Sequence, residues 1–467
     1  MRARRRTMAI AIFAALMSAA CSAQPAGGGA AATPRIPAAS PAAVSPAPAL
    51  SRTDWPTYHR TLDRAGVSPD TPPVHALRRA WSTALDGQVY ASPLIAGGWV
   101  FAATENDSVY ALDPHTGDIR WRRNAGRPVP LSGLPCGNID PLGITGTPVY
   151  DATTQRVYAV AETRVAGRVH HDLIGLDAAT GRVLLRRSAD PPRQDPEPMQ
   201  QRAALALIDG VVYVAYGGLD GDCGDYHGHV VGVPVDPAGP LAVFRVPAGR
   251  KGGIWAASGP ARRKGGALLV AVGNGDSTTT FDGSDSVTAL SLPSLRKTSL
   301  FAPQQWREDN RNDADLGSMG PAPLADGRVV AAGKSGDVYL LSAGNLGGIG
   351  GALARIGGCR AFGGAAVIAN IVYLPCDSGL RQVKVGPGDR LTAGWQNTAA
   401  TGSPVIGGGA VWTLDTGSGA LLALDLATGH RRAALDLGPV THFATPALWG
   451  SYAFVGTQRG IVAAAVS

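Results

Sequence analysis

From residue 53 onward the chain is a succession of short apolar runs separated by turns, and the same cycle keeps returning. Each cycle opens on a small residue followed by proline or alanine and a short inner strand: "ASPLI", "TGTPVYD", "QRAALALIDG", "AASGPA", "MGPAPLADG", "GGAAVIAN", "TGSPVIGGG" and "FATPALWG". A second apolar run follows ("WVFAAT", "RVYAVAE", "VVYVAYG", "ALLVAVG", "RVVAAG", "IVYLPC", "AVWTLD", "YAFVGT"). A third ends on an acidic or small residue ("SVYALD", "DLIGLD", "HVVGVPVD", "SVTALS", "DVYLLS", "ALLALD", "GIVAAAV"). From Pro93 to Pro148 is 55 residues, from Pro148 to Pro260 is 112 (two units of 56) and from Pro404 to Pro446 is 42, and periods of this length with several strands per unit predict a β-propeller. Eight cycles predict an all-β, eight-bladed β-propeller of four-stranded antiparallel blades. The last cycle stops at Ser467 one strand short, while "ALRRAWSTAL" near residue 80 is a strand with no blade. Pairing the two closes the ring and removes a free edge, whereas an open solenoid would leave both strands unpaired.

Composition agrees with this reading. Of 467 residues only 16% are charged, against 62 glycines and 35 prolines, the residues that supply positive φ and preset turns. The first cycle begins only after a different kind of sequence. Residues 1–20 join a basic start, "MRARRRT", to the apolar "MAIAIFAALM" and small residues, which is the layout of an export signal. Cys21 directly afterwards resembles a bacterial lipobox cysteine, although Ser18 stands where an aliphatic residue is preferred; ordinary signal cleavage and release is the alternative. Residues 21–52 are almost wholly Ala, Pro, Ser and Gly and read as an extended tether, leaving 53–467 for the propeller.

Four of the seven net positive charges are Arg2, Arg4, Arg5 and Arg6, which leave with the signal, so the exported chain is only mildly basic. It carries no dense Lys/Arg stripe interleaved with aromatics, which argues against a nucleic-acid partner. Besides Cys21 there are Cys136, Cys223, Cys359 and Cys376, an even number that predicts two disulfides in an exported protein. Of the three pairings, Cys136–Cys223 with Cys359–Cys376 is the one expected. No CxxC or CxxCH is present, which disfavours zinc and covalent haem. His227 and His229 alternate along one strand without a third ligand, so they predict no metal site.

One stretch, "ALDPHTGDIRW" at 111–121, recurs in eroded form as "GLDAATGRVLL" and "ALDLATGHRRA". Asp113 and Thr116 can hydrogen-bond the turn, Gly117 permits positive φ, and Trp121 leaves on the outgoing strand where its ring can wedge between blades. A catalytic motif has no reason to repeat around a ring, so this is a structural hinge. The pattern AxDxxTGxxxW resembles the tryptophan-docking motif of the quinoprotein dehydrogenases and their non-enzymatic relatives, the eight-bladed pyrroloquinoline-quinone-like propellers. The resemblance extends over residues 53–467. On "DWPTYHRTLDRAG", "GGIWAASGPA" and "GKSGDVYLL" it is nearest to exported actinobacterial proteins of that type.

That resemblance implies a set of site residues. "GGIW" would place Trp255 against a quinone, "VGNG" would offer the Asn274 amide oxygen to calcium, "NDADLGSMGP" would offer Asp313 or Asp315 as the base, and "AGKSG" would put Lys334 beside the quinone oxygens. Asp220 in "GGLDGDCGDYHGHV" stands where the family has a calcium-binding glutamate, and the family's adjacent-cysteine disulfide is missing. Each residue also has a plainer reading. Trp255 can be blade packing, Asn274 a left-handed turn residue, Asp313 and Asp315 part of a solvated loop, and Lys334 a side chain snorkelling at the channel mouth. Two functions follow. The first is a monomeric, lipid-anchored or secreted envelope module that binds a small ligand or a partner protein. The alternative is a calcium- and pyrroloquinoline-quinone-dependent dehydrogenase for an alcohol or sugar, with Asp313 or Asp315 as base, Asn274 and Asp220 on calcium, and Trp255 and Lys334 on the quinone.

Overall fold

The small residue that opens each cycle matters because inner strands crowd around an axis and only small side chains fit there. The computed structural model describes residues 50–467 apart from Arg52 and Ala343, and in it every predicted inner run forms a short buried strand. These are Leu94–Ala96, Val149–Asp151, Ala206–Ile208, Ala261–Arg262, Ala322–Pro323, Ala366–Ile368, Val405–Gly407 and Ala447–Trp449. Each pairs antiparallel with the apolar run that follows it, giving eight sheets, numbered here as blades 1–8 in that order. The signal segment, Cys21 and nearly all of the tether lie outside the described residues.

Three details depart from the simple repeat. Blade 6 has its third strand at Gly379–Val385, a run whose buried Gln382 hides it from an apolar pattern. In blade 3 an extra two-residue strand, Met199–Gln200, precedes the inner strand, and Arg202 lies in the break between them. In blade 4 the outer strand Lys297–Ala302 gains a parallel partner, Gly348–Ile349.

Closure occurs as the spare strand predicts. Leu77–Ala84 pairs along Gly460–Val466 as the outer strand of blade 8, with Trp81 opposite Ala463. The hinges then lock neighbouring blades. In blade 1, Asp113 Oδ1 accepts the amides of His115 and Thr116, at 2.9 and 3.2 Å, while Gly117 has φ +76°. Trp121 donates Nε1–H to Ala178 O at 3.0 Å in the hinge of blade 2, and its ring lies so close to Gly181 that a Cβ there would approach within 2.6 Å. Two tryptophans outside the motif dock in the same way. Trp81 bonds Pro114 O across the seam between blades 8 and 1, and Trp395 bonds Leu426 O across blades 6 and 7. The repeat is therefore a fastening, with an apolar ring and one hydrogen bond at each use.

The channel itself is crossed by residues 55–68, a segment with no periodicity. It bonds to the inner strand, or to the turn entering it, in blades 1, 2, 3, 4, 6, 7 and 8. The contacts run through Trp55 to Ile95, Pro56 to Tyr150, Thr57 to Leu205, Leu62 to Arg262, Ala65 to Val367, Ser68 to Ile406 and His59 to Thr445. At its centre Arg64 is 3% exposed and has no carboxylate partner. Its guanidinium donates instead to Pro260 O (3.1 Å), Leu205 O (3.0 Å), Tyr58 O (3.0 Å) and Thr57 Oγ1 (2.7 Å). Burial lowers the Arg64 pKa to about 10. One cation gathers carbonyls from blades 3 and 4 and from the segment itself, and so plugs the axis.

Candidate functional site

Blades 3, 4 and 5 each send a turn toward the axis, and those turns surround a cavity of about 370 Å³. Asp220, Trp255, Asn274, Asp313, Asp315 and Lys334, scattered over more than a hundred residues of sequence, all line it. So do Arg202, Asp222, Tyr226 and Lys251, which the sequence reading passed over. In blades 3 and 4 the chain runs from the cavity (Arg202, Trp255) to the plug (Leu205, Pro260) as it enters the inner strand. Cavity and plug therefore occupy different levels of the channel.

Close backbone approach builds the deep end. Leu316 N donates to Asp285 Oδ1 at 3.2 Å, and Lys334 N donates to Asp315 O at 2.9 Å. A Cβ on Gly333 would meet Asp315 O at 2.4 Å, so glycine is what lets blade 5 sit against this turn. The result separates two aspartates that the sequence places in one polar run. Residues Trp306–Arg311 form a short helix with Trp306 buried, Asp313 stays at the rim with its side chain 64% exposed, and Asp315 is 1% exposed. The solvated-loop reading thus holds for Asp313 and fails for Asp315.

Lys334 joins them, with Nζ 2.8 Å from Asp315 Oδ2 and 3.0 Å from Asp313 Oδ1. Asp315 Oδ1, also buried, has no hydrogen-bond donor. Burial raises the Asp315 pKa against the pull of Lys334. Burial opposes the Lys334 charge in turn, but Asp315 and Asp313 outweigh it and raise the Lys334 pKa. Asn274 is 8% exposed, its backbone is not left-handed, and its side-chain amide has no partner among the described residues. The turn explanation for this asparagine therefore falls away, and an unpaired amide facing a cavity remains. A polar group so placed costs free energy unless something fills the cavity.

Trp255 is half-buried and forms one wall. It meets Phe443 of blade 8 edge-on across the axis, with ring centroids 6.3 Å apart. Two cations flank its ring, Lys334 Nζ at 5.4 Å and Arg202 Cζ at 6.0 Å from the centroid. Burial lowers the Arg202 pKa against the fields of Asp220 and Glu105. On the outer side Lys251 Nζ lies 3.5 Å from Asp222 Oδ2, and Asp222 also accepts the Tyr226 hydroxyl; burial and Asp222 hold that phenol well above its ordinary pKa. Packing alone does not account for an indole set between two cations.

The 219–226 turn that carries Asp220 and Asp222 is pinned by the disulfide Cys136–Cys223, closing 87 residues. Cys359–Cys376 closes 17, so both expected pairings are present. Asp220 itself is solvent-exposed. Calcium takes six to eight oxygens, whereas among the described residues no three acidic, histidine or cysteine side chains gather around one point, and Lys334 already neutralises Asp315. The cavity's described side chains do not complete a calcium shell.

Comparisons with known proteins agree on the fold. A family model described as outer membrane protein assembly factor BamB matches residues 72–218, less than half of the chain. No curated protein matches the sequence. Among solved structures, the quinohemoprotein alcohol dehydrogenase of Comamonas testosteroni is similar with a TM-score of 0.64 at 16% identity, over 89% of this chain and 80% of that one. A europium-containing methanol dehydrogenase gives 0.67 at 14%, over 89% and 98%. BamB from Moraxella catarrhalis gives 0.53 at 15%, over 83% and 97%. At these identities the likeness establishes the β-propeller fold alone; those neighbours include both dehydrogenases and an assembly factor, so function is left to the site.

Proposed function

We propose that this propeller is an exported envelope protein that binds a small, planar, acidic ligand in the cavity at the ring mouth. One observation carries the reading: an indole with two cations within 6.0 Å of its ring, beside a buried carboxylate and an amide that has no side-chain partner among the described residues. A flat ring stacked on Trp255 places its anionic substituents beside Lys334 and Arg202, where charge-assisted bonds form with little solvent competition. The Asn274 amide then gains the partner it lacks. The volume suits such a molecule, since small-ligand sites run from roughly 300 to 1,000 Å³. The leader at 1–20 would direct export, the tether at 21–52 with acylation of Cys21 would hold the domain at a membrane surface, and the two disulfides agree with an oxidising compartment.

A second reading is favoured by the burial of Asp315 and its raised pKa. In a dehydrogenase acting on an alcohol or sugar, a bound quinone supplies the two-electron acceptor. Asp315 then takes the hydroxyl proton on Oδ1, Lys334 holds Oδ2, and the Trp255–Phe443 pair limits water.

Both readings meet in one titration of pyrroloquinoline quinone into the purified protein, followed by tryptophan fluorescence with and without calcium. Saturable quenching that Trp255→Ala removes supports the ligand site. If dye-linked alcohol oxidation also appears and Asp315→Asn abolishes it, the dehydrogenase reading holds. No quenching at saturating quinone rejects this ligand for both.

A further inference from the structure

A second cleft, of about 960 Å³, lies on the far side of the 219–227 turn and shares no lining residue with the ring-mouth cavity. We propose that it binds a zwitterionic ligand of the amino-acid or short-peptide class. Its anchor is His229, which is 2% exposed yet lines the cleft. The ring's Nδ1 lies 2.8 Å from His227 O, an acceptor, so Nδ1 carries the proton and Nε2 presents a lone pair with no partner among the described residues. Neighbouring His227 has no such freedom, because Gln194 Oε1 and Gly249 O take both of its nitrogens, at 3.1 and 2.8 Å. Burial first, then Arg245 and His227, lower the His229 pKa to about 4, so the ring stays a neutral acceptor through the physiological range.

Charges of both signs surround this acceptor, and they are not spent on each other. Arg193 and Arg245 line the cleft and form no ion pair among the described residues; neither do Asp195, Glu197 and Asp225. The backbone that carries most of them is tightly fixed. Gln194 Nε2 donates to Asp225 O at 2.8 Å, stitching the 190–198 segment to the 225–227 strand entry. Gly224, at φ +76°, packs so tightly on Pro198 that a Cβ would come within 2.5 Å. A ligand carrying a carboxylate and an ammonium satisfies both sets at once, with an N–H of its own for His229 Nε2. A simple anion would face the three carboxylates, and a simple cation the two arginines.

The test is calorimetric titration of the full-length protein with triglycine, triglycine amide and N-acetyltriglycine. Saturable binding of triglycine is expected at millimolar peptide, weakened roughly tenfold or more when either terminal charge is removed. Arg245→Ala, a surface change that leaves folding intact, should weaken triglycine similarly, and His229→Phe should do so if the melting temperature is retained. Lys334→Ala in the ring-mouth cavity should leave it unchanged. No binding of triglycine overturns the proposal, as does equal binding of the capped peptides, or indifference to Arg245→Ala. Because the readout uses no quinone, failure of the ring-mouth ligand would leave this result standing, and the converse also holds.

Discussion

The two levels of the propeller axis treat buried polarity in opposite ways. At the plug, Arg64 is 3% exposed, and its donors end on carbonyl or hydroxyl oxygens within 3.1 Å. At the cavity, the buried Asp315 Oδ1 and the less deeply buried Asn274 amide have no hydrogen-bond partner among the described residues. Close packing is available at both levels, so the difference is not one of crowding. A saturated buried group is a structural part; an unsaturated one that opens on a cavity has its partner outside the chain.

The sharpest way to break this contrast is at the plug. Arg64→Ala strands three carbonyls taken from blades 3 and 4 and from the crossing segment, and should cost roughly 3–5 kcal/mol of stability. Urea unfolding followed by tryptophan fluorescence would measure it. A loss below about 1 kcal/mol would mean that water replaces the guanidinium freely and that the segment is not a true plug.

A third region qualifies the rule. Between blades 1 and 2, Glu105, Asp107 and Glu162 are all at most 1% exposed, and Asp107 has no partner at either oxygen. Glu162 Oε2 faces His171 Nε2 at 3.2 Å, whereas Asp107, which burial pushes toward its neutral form, has a proton as its partner. Burial, reinforced by their mutual repulsion, raises Glu105 to about 8 and Asp107 to about 9. Their folded pKa values stand above the unfolded ones. Their contribution to stability is therefore complete below about pH 4 and is lost as pH rises toward 8–9. His171 acts in the same sense: burial would lower its pKa, but Glu162 and Asp190 raise it. The melting temperature should fall by roughly 5 °C between pH 5 and pH 9, and Asp107→Asn should flatten that slope. A curve rising over the same range would show that these carboxyls are ionised in the fold.

How far the sequence reveals each region follows from the range of the interactions. Blades are legible because a small-residue–proline opening and two apolar runs are local, and the hinge is legible because Asp, Thr and Gly act within one turn. Ring closure needed only a count of strands. The cavity was legible only through the family resemblance, which named its residues in order along the chain; the residues themselves, read one by one, favoured plainer roles. Arg202 and Lys251 sit in segments with no comparable signal. The plug stayed hidden because Trp55 and Arg64 answer to residues in other blades, Ile95 for the first and Leu205 and Pro260 for the second, 141 and 196 positions from Arg64. Docking by Trp81 and Trp395 stayed hidden for the same reason, since the glycine each one covers belongs to the next blade.

The smallest stability effect should fall on the residue that matters most to binding, which makes it the most discriminating comparison. The Asn274 side chain has no hydrogen-bond partner among the described residues, its backbone is not left-handed, and its carbonyl, which accepts Gly252 N at 2.8 Å, survives the substitution, so Asn274→Ala removes no described side-chain interaction. Its effect on unfolding should stay within about 0.5 kcal/mol, the range of substitutions that touch no structural feature. If the cavity is a ligand site, the same change should weaken quinone quenching by roughly tenfold, the worth of one hydrogen bond formed away from water. Stability and affinity would then separate cleanly: Arg64→Ala loses the first, while Asn274→Ala keeps the first and loses the second. Were Asn274→Ala to destabilise the fold by more than about 2 kcal/mol, the amide would have a partner inside the protein, and an unpaired group at a cavity wall would no longer point outward.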